Sequence, residues 1–143
     1  MRLLLDTHCF LWWLEEPERL APAAYAAIKD GRNVIHVSAG SAWEIAIKHA
    51  LGKLRLPAPP QEYVPSRLAE EAMTGLAIET RHALHAGALP MLHHDPFDRL
   101  LVAQAQLEGL VLVTADSRVA IYDVEILWAG VDPPPSRLRH PSA

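Results

Sequence analysis

The chain has 143 residues, half of them hydrophobic, a formal charge of −4 and an isoelectric point near 6.0. That length suits one domain that buries its own core without disulfides or zinc, and the single cysteine, Cys9, excludes an internal disulfide and fits a reducing cytoplasm. The acidic balance argues against a generic nucleic-acid binder, although metal-ligating acids lower the charge of an empty site and a bound cation reverses the local field.

No stretch approaches the ~18 apolar residues of a membrane span, and Asp6 and His8 interrupt the first apolar run, so no secretory leader is expected. Residues 2–5 read as a short buried strand, followed by an apolar helix over 7–14 that Glu15-Glu16-Pro17-Glu18 breaks. Pro22 and Gly31 bracket a helix over 23–30. Residues 33–37 form a second strand, and 41–51 a strong helix that Gly52 ends. After the stiff connector Leu56-Pro57-Ala58-Pro59-Pro60 comes a helix ending near Gly75, with Pro65 in its first turn or at a kink. A third strand covers 76–78, and a helix over 80–86 is capped by Thr80 and ended by Gly87. The clearest helix is 96–108, closed by Gly109. Strands over 110–114 and 124–128 complete the pattern. Alternating strands and helices predict a three-layer α/β sandwich with a parallel sheet, over residues 1–130. Residues 131–143, with three consecutive prolines, read as a flexible tail.

Four acids stand where this pattern turns from one element to the next: Asp6, Glu44, Asp98 and Asp116. The crevice at the carboxyl ends of parallel strands is where such folds bind ligands. Carboxylates gathered without a cation repel until one takes up a proton, and a hard divalent metal, Mg²⁺ or Mn²⁺, relieves that conflict. Each acid also has a plainer reading. Asp95, ahead of Pro96, is read as a helix cap, with Asp98 one turn deeper and turned into the cleft. Glu44 completes a capping box with Ser41 or pairs with Lys48 four residues on. Asp116 alternatively caps a short helix over 117–120. Asp6, after a buried strand and followed by Thr7, is harder to explain in such terms, being needed neither for a turn nor for solubility.

At this point the chain resembles the PIN-domain ribonucleases, specifically the toxin half of VapBC-type toxin–antitoxin pairs. The resemblance spans nearly all of residues 1–130 and is carried by Leu3-Leu4-Leu5-Asp6-Thr7-His8, Ser41-Ala42-Trp43-Glu44-Ile45-Ala46-Ile47-Lys48, His94-Asp95-Pro96-Phe97-Asp98-Arg99 with Leu100 to Ala105, and Leu112-Val113-Thr114-Ala115-Asp116. It implies a PIN-like sandwich on a parallel five-stranded sheet, with Mg²⁺ or Mn²⁺ held by Asp6, Glu44, Asp98 and Asp116 as the catalytic set. It implies endonucleolytic cleavage of RNA that leaves a 5′-phosphate and a 3′-hydroxyl, a cognate antitoxin partner, and a homodimer. Thr114-Ala115-Asp116-Ser117-Arg118 carries one acid where many members have a second polar ligand, so one ion and two both remain open.

Thr7 and Thr114 are expected to orient ligands or water beside the acids. Lys48 and Arg99 are expected to contact RNA, as are His49, Lys53, Arg55, His93 and His94 around the two middle motifs. Trp12 and Trp13 point about 100° apart on a helix, so either one is core and the other exposed, or both serve an interface for an antitoxin peptide or a second copy. Cys9 reads as a small buried side chain. Two other functions fit the residues: a Mg²⁺-dependent phosphatase with a strand-end aspartate, although His8 stands where its second acid belongs, and a PIN-like interaction module without catalysis. The chain lacks a phosphate-cradling glycine loop with its lysine.

Overall fold

Leu3, Leu4 and Leu5 are each fully buried, which in a strand requires apolar cover on both faces. The computed structural model, which describes residues 1–136, 138, 139 and 141, shows how that cover is built. Strand β1 (Arg2–Leu5) lies at the centre of a five-stranded sheet. It is flanked by β2 (Val34–Ser38) on one side and β4 (Val111–Thr114) on the other, with β3 (Thr74–Leu76) and β5 (Ile126–Trp128) at the edges. All four pairings are parallel, and Leu5 lies level with Val37 and Val113. Leu3 and Leu5 join one core cluster with Cys9, Phe10, Ile45 and Val64. Leu4 faces the other cluster, with Leu101, Val102, Tyr122 and Ile126.

Helices α1 (Thr7–Glu15), α2 (Pro22–Lys29), α3 (Ala39–Ala50) and α4 (Pro60–Glu70) supply side chains to the first cluster, and α6 (Pro96–Glu108) to the second, where α5 (Thr80–Ala88) packs beside it. The expected three-layer sandwich is therefore present. Between β1 and β4 the strand order reverses direction, and in an open α/β sheet that point is the natural ligand crevice. Gly40 lets α3 approach α6 there, because a β-carbon at this position would lie 3.0 Å from Leu100 Cδ2.

Several element ends differ from the sequence reading. Helix α3 begins at Ala39, directly after β2, because Ser38 rather than Ser41 caps it, accepting the Gly40 amide at 3.0 Å. Ser41 is buried and takes the Thr7 hydroxyl at 2.9 Å, so no Ser41–Glu44 capping box forms. Helix α4 stops at Glu70, with Ala72 in a left-handed conformation (φ 52°) and the Met73 amide returning to Leu68, which starts β3 two residues early. The cap of α5 is Glu79 rather than Thr80, because Glu79 and His82 satisfy each other's end of a capping box. Strand β5 starts at Ile126, after a turn that ties Val124 to Tyr122. Of the tail expected over 131–143, residues 137, 140, 142 and 143 lie outside the described ones. Leu138 packs against the second cluster, and the Arg139 carbonyl accepts the Ile126 amide at 2.8 Å.

Candidate functional site

Each acid reaches the carboxyl edge of the sheet for a local reason. Asp6 ends β1 and caps α1, with Oδ1 accepting the Cys9 amide at 2.7 Å. Its Oδ2 accepts the Thr114 hydroxyl at 2.6 Å, and that hydroxyl accepts the Asp116 amide at 3.0 Å. Thr114, fully buried at the end of β4, therefore joins the acid after β1 to the acid after β4. Asp95 caps α6 as expected, Oδ1 taking the amides of Phe97 and Asp98 at 2.9 and 3.1 Å. That leaves the Asp98 carboxylate free, and its Oδ2 meets His93 Nε2 at 2.9 Å. One ligand atom each from His93, Asp98 and Asp116 lie within 4.8 Å of one another.

Charge accumulates here faster than the protein neutralises it. Burial pushes the Asp98 carboxyl up to about 6, against the His93 hydrogen bond, and the negative charges of Asp95, Asp116 and Asp6 add to the rise. Burial also raises Asp6, which the Thr114 and Cys9 hydrogen bonds only partly offset. At Asp116 burial acts upward, but hydrogen bonds from the Arg118 side chain and backbone, with its charge, outweigh it and hold the group below the usual range. Two raised carboxyls with a third beside them form a hard oxygen-donor set that a divalent cation would relieve.

The fourth acid is less closely joined. Glu44 is buried on α3, and its Oε2 lies 3.0 Å from Lys48 Nζ. It lies one turn beyond Ser41 and so shares the α3 face that meets Thr7. Among the described residues no hydrogen bond or ion pair links Glu44 to the other acids. Thr7 supports this edge through Ser41 and Thr114 through Asp6, so the two threonines do different work.

Arg99, expected as an RNA contact, is instead buried. Its guanidinium donates to the carbonyls of Ala86, Leu89, Pro90 and His93 and to the Tyr122 hydroxyl, at 2.8–3.4 Å. It is a clamp on the segment before α6, its two terminal nitrogens committed to these partners. His93, expected only as a flanking cation, belongs to the acidic cluster. Nothing local in the sequence separates His93 from His94, because the assignment depends on the Tyr122 and Arg99 contacts.

Trp12 and Trp13 are both half-buried. Trp13 packs on Tyr25, ring centres 5.2 Å apart, and donates to Glu71 at 3.0 Å. Trp12 faces the acids: with Asp6, His8, Arg19, Ala115, Asp116 and Ser117 it lines a groove of about 370 Å³, and the Arg19 guanidinium lies 4.6 Å from its ring centre. Arg19 was hidden in sequence, because the turn Pro17–Arg19 brings it back over α1. The exposed tryptophan is Trp43, edge-on to Phe97. Cys9 is buried, and burial followed by the Asp6 charge raises its thiol well above its usual value, which disfavours the reactive thiolate. Among the described residues no helix is long and apolar enough to cross a membrane.

The family described as PIN domain matches residues 3–125. Ribonuclease VapC22 of Mycobacterium tuberculosis (strain ATCC 25618 / H37Rv) is 37% identical over 118 residues, covering 82% of this chain and 88% of that protein. Ribonuclease VapC16 of the same organism is 44% identical over 63 residues, 44% of this chain and 45% of that protein. Among solved structures, VapBC2 from Rickettsia felis bound to a DNA fragment from their promoter aligns with a TM-score of 0.66 at 16% identity, covering 90% of this chain and 99% of that one. VapBC from Salmonella typhimurium, also DNA-bound, aligns at 0.61 with 18% identity, covering 90% and 98%. At such identities the structural likeness concerns the fold alone.

Proposed function

The chain belongs to the PIN-domain family, and on that premise we propose that it is a metal-dependent endoribonuclease, the toxin of a toxin–antitoxin pair. The observation that carries this reading is the convergence of Asp98, Asp116 and His93 within 4.8 Å at the carboxyl edge, with Asp6 tied to Asp116 through Thr114 and the Asp6 and Asp98 carboxyls both raised. Asp6, Asp98 and Asp116 would hold Mg²⁺ or Mn²⁺, with Glu44 ligating directly or through water after releasing Lys48. When bound, the ion lowers the pKa of an attacking water and offsets the charge that grows on the phosphate oxygens.

The chain's own residues position the rest. Thr114 fixes the Asp6 carboxylate and the Asp116 backbone, and Thr7 with Ser41 sets the start of α1 against α3. The groove beside the acids offers Trp12 as a stacking surface and Arg19 as a cation, which suits a splayed single strand held by its bases and backbone. Lys48, once free of Glu44, would reach a phosphate. The products are a 5′-phosphate and a 3′-hydroxyl.

A strand-end nucleophile is the poorer reading. Asp6 is buried and each of its oxygens accepts one hydrogen bond, which lowers the carboxylate's reactivity as a nucleophile while leaving each oxygen a second lone pair for a cation. A protein antitoxin and a second copy of the chain are the proposed partners, in the cytoplasm. Their support is family membership together with the exposed Trp43, which stands between two apolar grooves. The test is incubation of the purified chain with labelled structured and unstructured RNAs, in Mn²⁺ and in chelator, beside the Asp98→Asn variant. Cleavage in Mn²⁺ alone, absent from the variant, supports the reading; cleavage that persists in chelator removes it.

A further inference from the structure

Among the described residues, two groups of three side chains are able to ligate a metal: His93, Asp98 and Asp116 at the carboxyl edge, and Glu79, His82 and Glu108 beside α5 and α6. Their histidines differ in which nitrogen is committed. His82 Nδ1 accepts the Glu79 backbone amide at 2.9 Å, so its ring proton must lie on Nε2, where it is given to Glu108 at 2.8 Å. A ring in that tautomer has no lone pair left for a cation, and the Arg81 guanidinium already contacts both acids. The second group is therefore a closed ion network.

His93 is the opposite case. Its Nε2 donates to Asp98 Oδ2 at 2.9 Å while no cation is bound, but among the described residues Nδ1 has no hydrogen-bond partner, so the ring proton can move to Nδ1 when a cation takes its place beside Asp98, leaving Nε2 to ligate. The backbone that carries the ring is also held in place before any ion arrives. The His93 amide donates to the Tyr122 hydroxyl at 3.0 Å, that hydroxyl donates back to the His93 carbonyl at 3.2 Å, and Arg99 clamps the same carbonyl at 3.4 Å. Tyr122 and Arg99 are both buried. Two core side chains thus fix the backbone of a histidine whose ring projects among the acids.

We propose that His93 is a direct nitrogen ligand of the catalytic cation, which makes the donor set mixed nitrogen and oxygen rather than all-carboxylate. The inference rests on the metal-dependent reading above. Imidazole suits the borderline transition ions and carboxylate the hard ones, so a nitrogen in the set favours Mn²⁺ over Mg²⁺. A histidine that only hydrogen-bonded Asp98 would leave the metal's coordination unchanged.

Pulsed electron paramagnetic resonance of the Mn²⁺-loaded full chain separates the two roles. Wild type is expected to show ¹⁴N modulation from a coordinated imidazole, replaced by a ¹⁵N pattern when the chain is labelled with ¹⁵N-histidine. His93→Gln is expected to lose the modulation and to bind Mn²⁺ at least ~10-fold more weakly, the lower end of the range for losing an outer-shell partner. His94→Gln is expected to keep both. Bound Mn²⁺ without nitrogen coupling in wild type, or coupling that survives in His93→Gln, overturns the inference and leaves the acid-site reading standing. Absence of any Mn²⁺ binding to wild type overturns both.

Discussion

Two clusters of acids built from similar parts behave in opposite ways. Each sets a histidine beside two carboxylates, one of them on α6. Asp98 opens α6 at the carboxyl edge and Glu108 closes it, about 15 Å away by helical rise. At the closing end, Glu108 meets Arg81 and the fully buried His82, and Arg2 donates to its carbonyl. The His82 hydrogen bond, then the Arg81 charge, holds the Glu108 carboxyl below its usual range. At the opening end burial and three neighbouring carboxylates act together, and Asp98 rises instead. The number of acids is therefore a poor guide to a site. The balance of charge around them is what distinguishes a structural brace from a place suited to a cation.

The largest effect that sharpens this contrast is at Asp98. Asp98→Asn is expected to lower cleavage by roughly 10²–10³-fold, the scale of losing one contact to developing charge. In chelator at pH 7 the same variant is expected to melt several degrees higher. It removes a repelled carboxylate worth up to about 2–3 kcal/mol, at ~1.4 kcal/mol for each tenfold change in proton affinity. The sign follows from linkage. A carboxyl raised in the fold binds more protons than in the unfolded chain, so its contribution is complete below about pH 4 and is lost as pH rises through about 6. Thermal melts of the metal-free chain across that window should show stability declining with pH, with Asp6 acting in the same direction. A melting temperature unchanged by Asp98→Asn would mean the acids are not in conflict.

At the other cluster the expected response reverses. His82→Ala leaves the Glu79 amide and Glu108 without their buried partner and should destabilise the fold by about 2–3 kcal/mol, measured by urea unfolding, while Mn²⁺ affinity stays unchanged. A smaller gain is expected at His36, a buried β2 residue whose ring nitrogens have no partner among the described residues. Burial, then the Arg2 charge, lowers its pKa and keeps the ring neutral. His36→Leu is expected to raise stability by about 1 kcal/mol. Least of all, Arg118→Ala should change stability by under ~1 kcal/mol, since the pair is largely exposed. With the competing cation gone, calorimetry should find Mn²⁺ bound up to about fivefold more tightly.

The same contrast explains what could be read from sequence. Leu3-Leu4-Leu5 followed by Asp6 announced both the central strand and its terminal acid, because three buried residues in a row need cover on both faces. Asp95-Pro96 announced the start of α6 and so the place of Asp98. These are local rules acting on neighbours in the chain. Arg99 defeated the same reasoning: a cation next to a site acid looks like a phosphate contact until the carbonyls of four residues outside its helix claim it. Ser41 and Thr114 act through partners 34 and 108 residues away, and Arg19 returns over Trp12 only because a turn intervenes, which no window reveals. Glu44 stands between, its pairing with Lys48 foreseeable from helical spacing and its relation to the other acids only from the fold.

The central claim is that the carboxyl-edge acids form a cation cage and the α5–α6 acids do not. Isothermal calorimetry of Mn²⁺ binding to wild type, to the double variant Asp6→Asn with Asp98→Asn, and to the double variant Glu79→Gln with Glu108→Gln tests it directly. The account predicts that binding vanishes in the first double variant and persists in the second. Mn²⁺ binding retained without Asp6 and Asp98, or lost with Glu79 and Glu108, would contradict it.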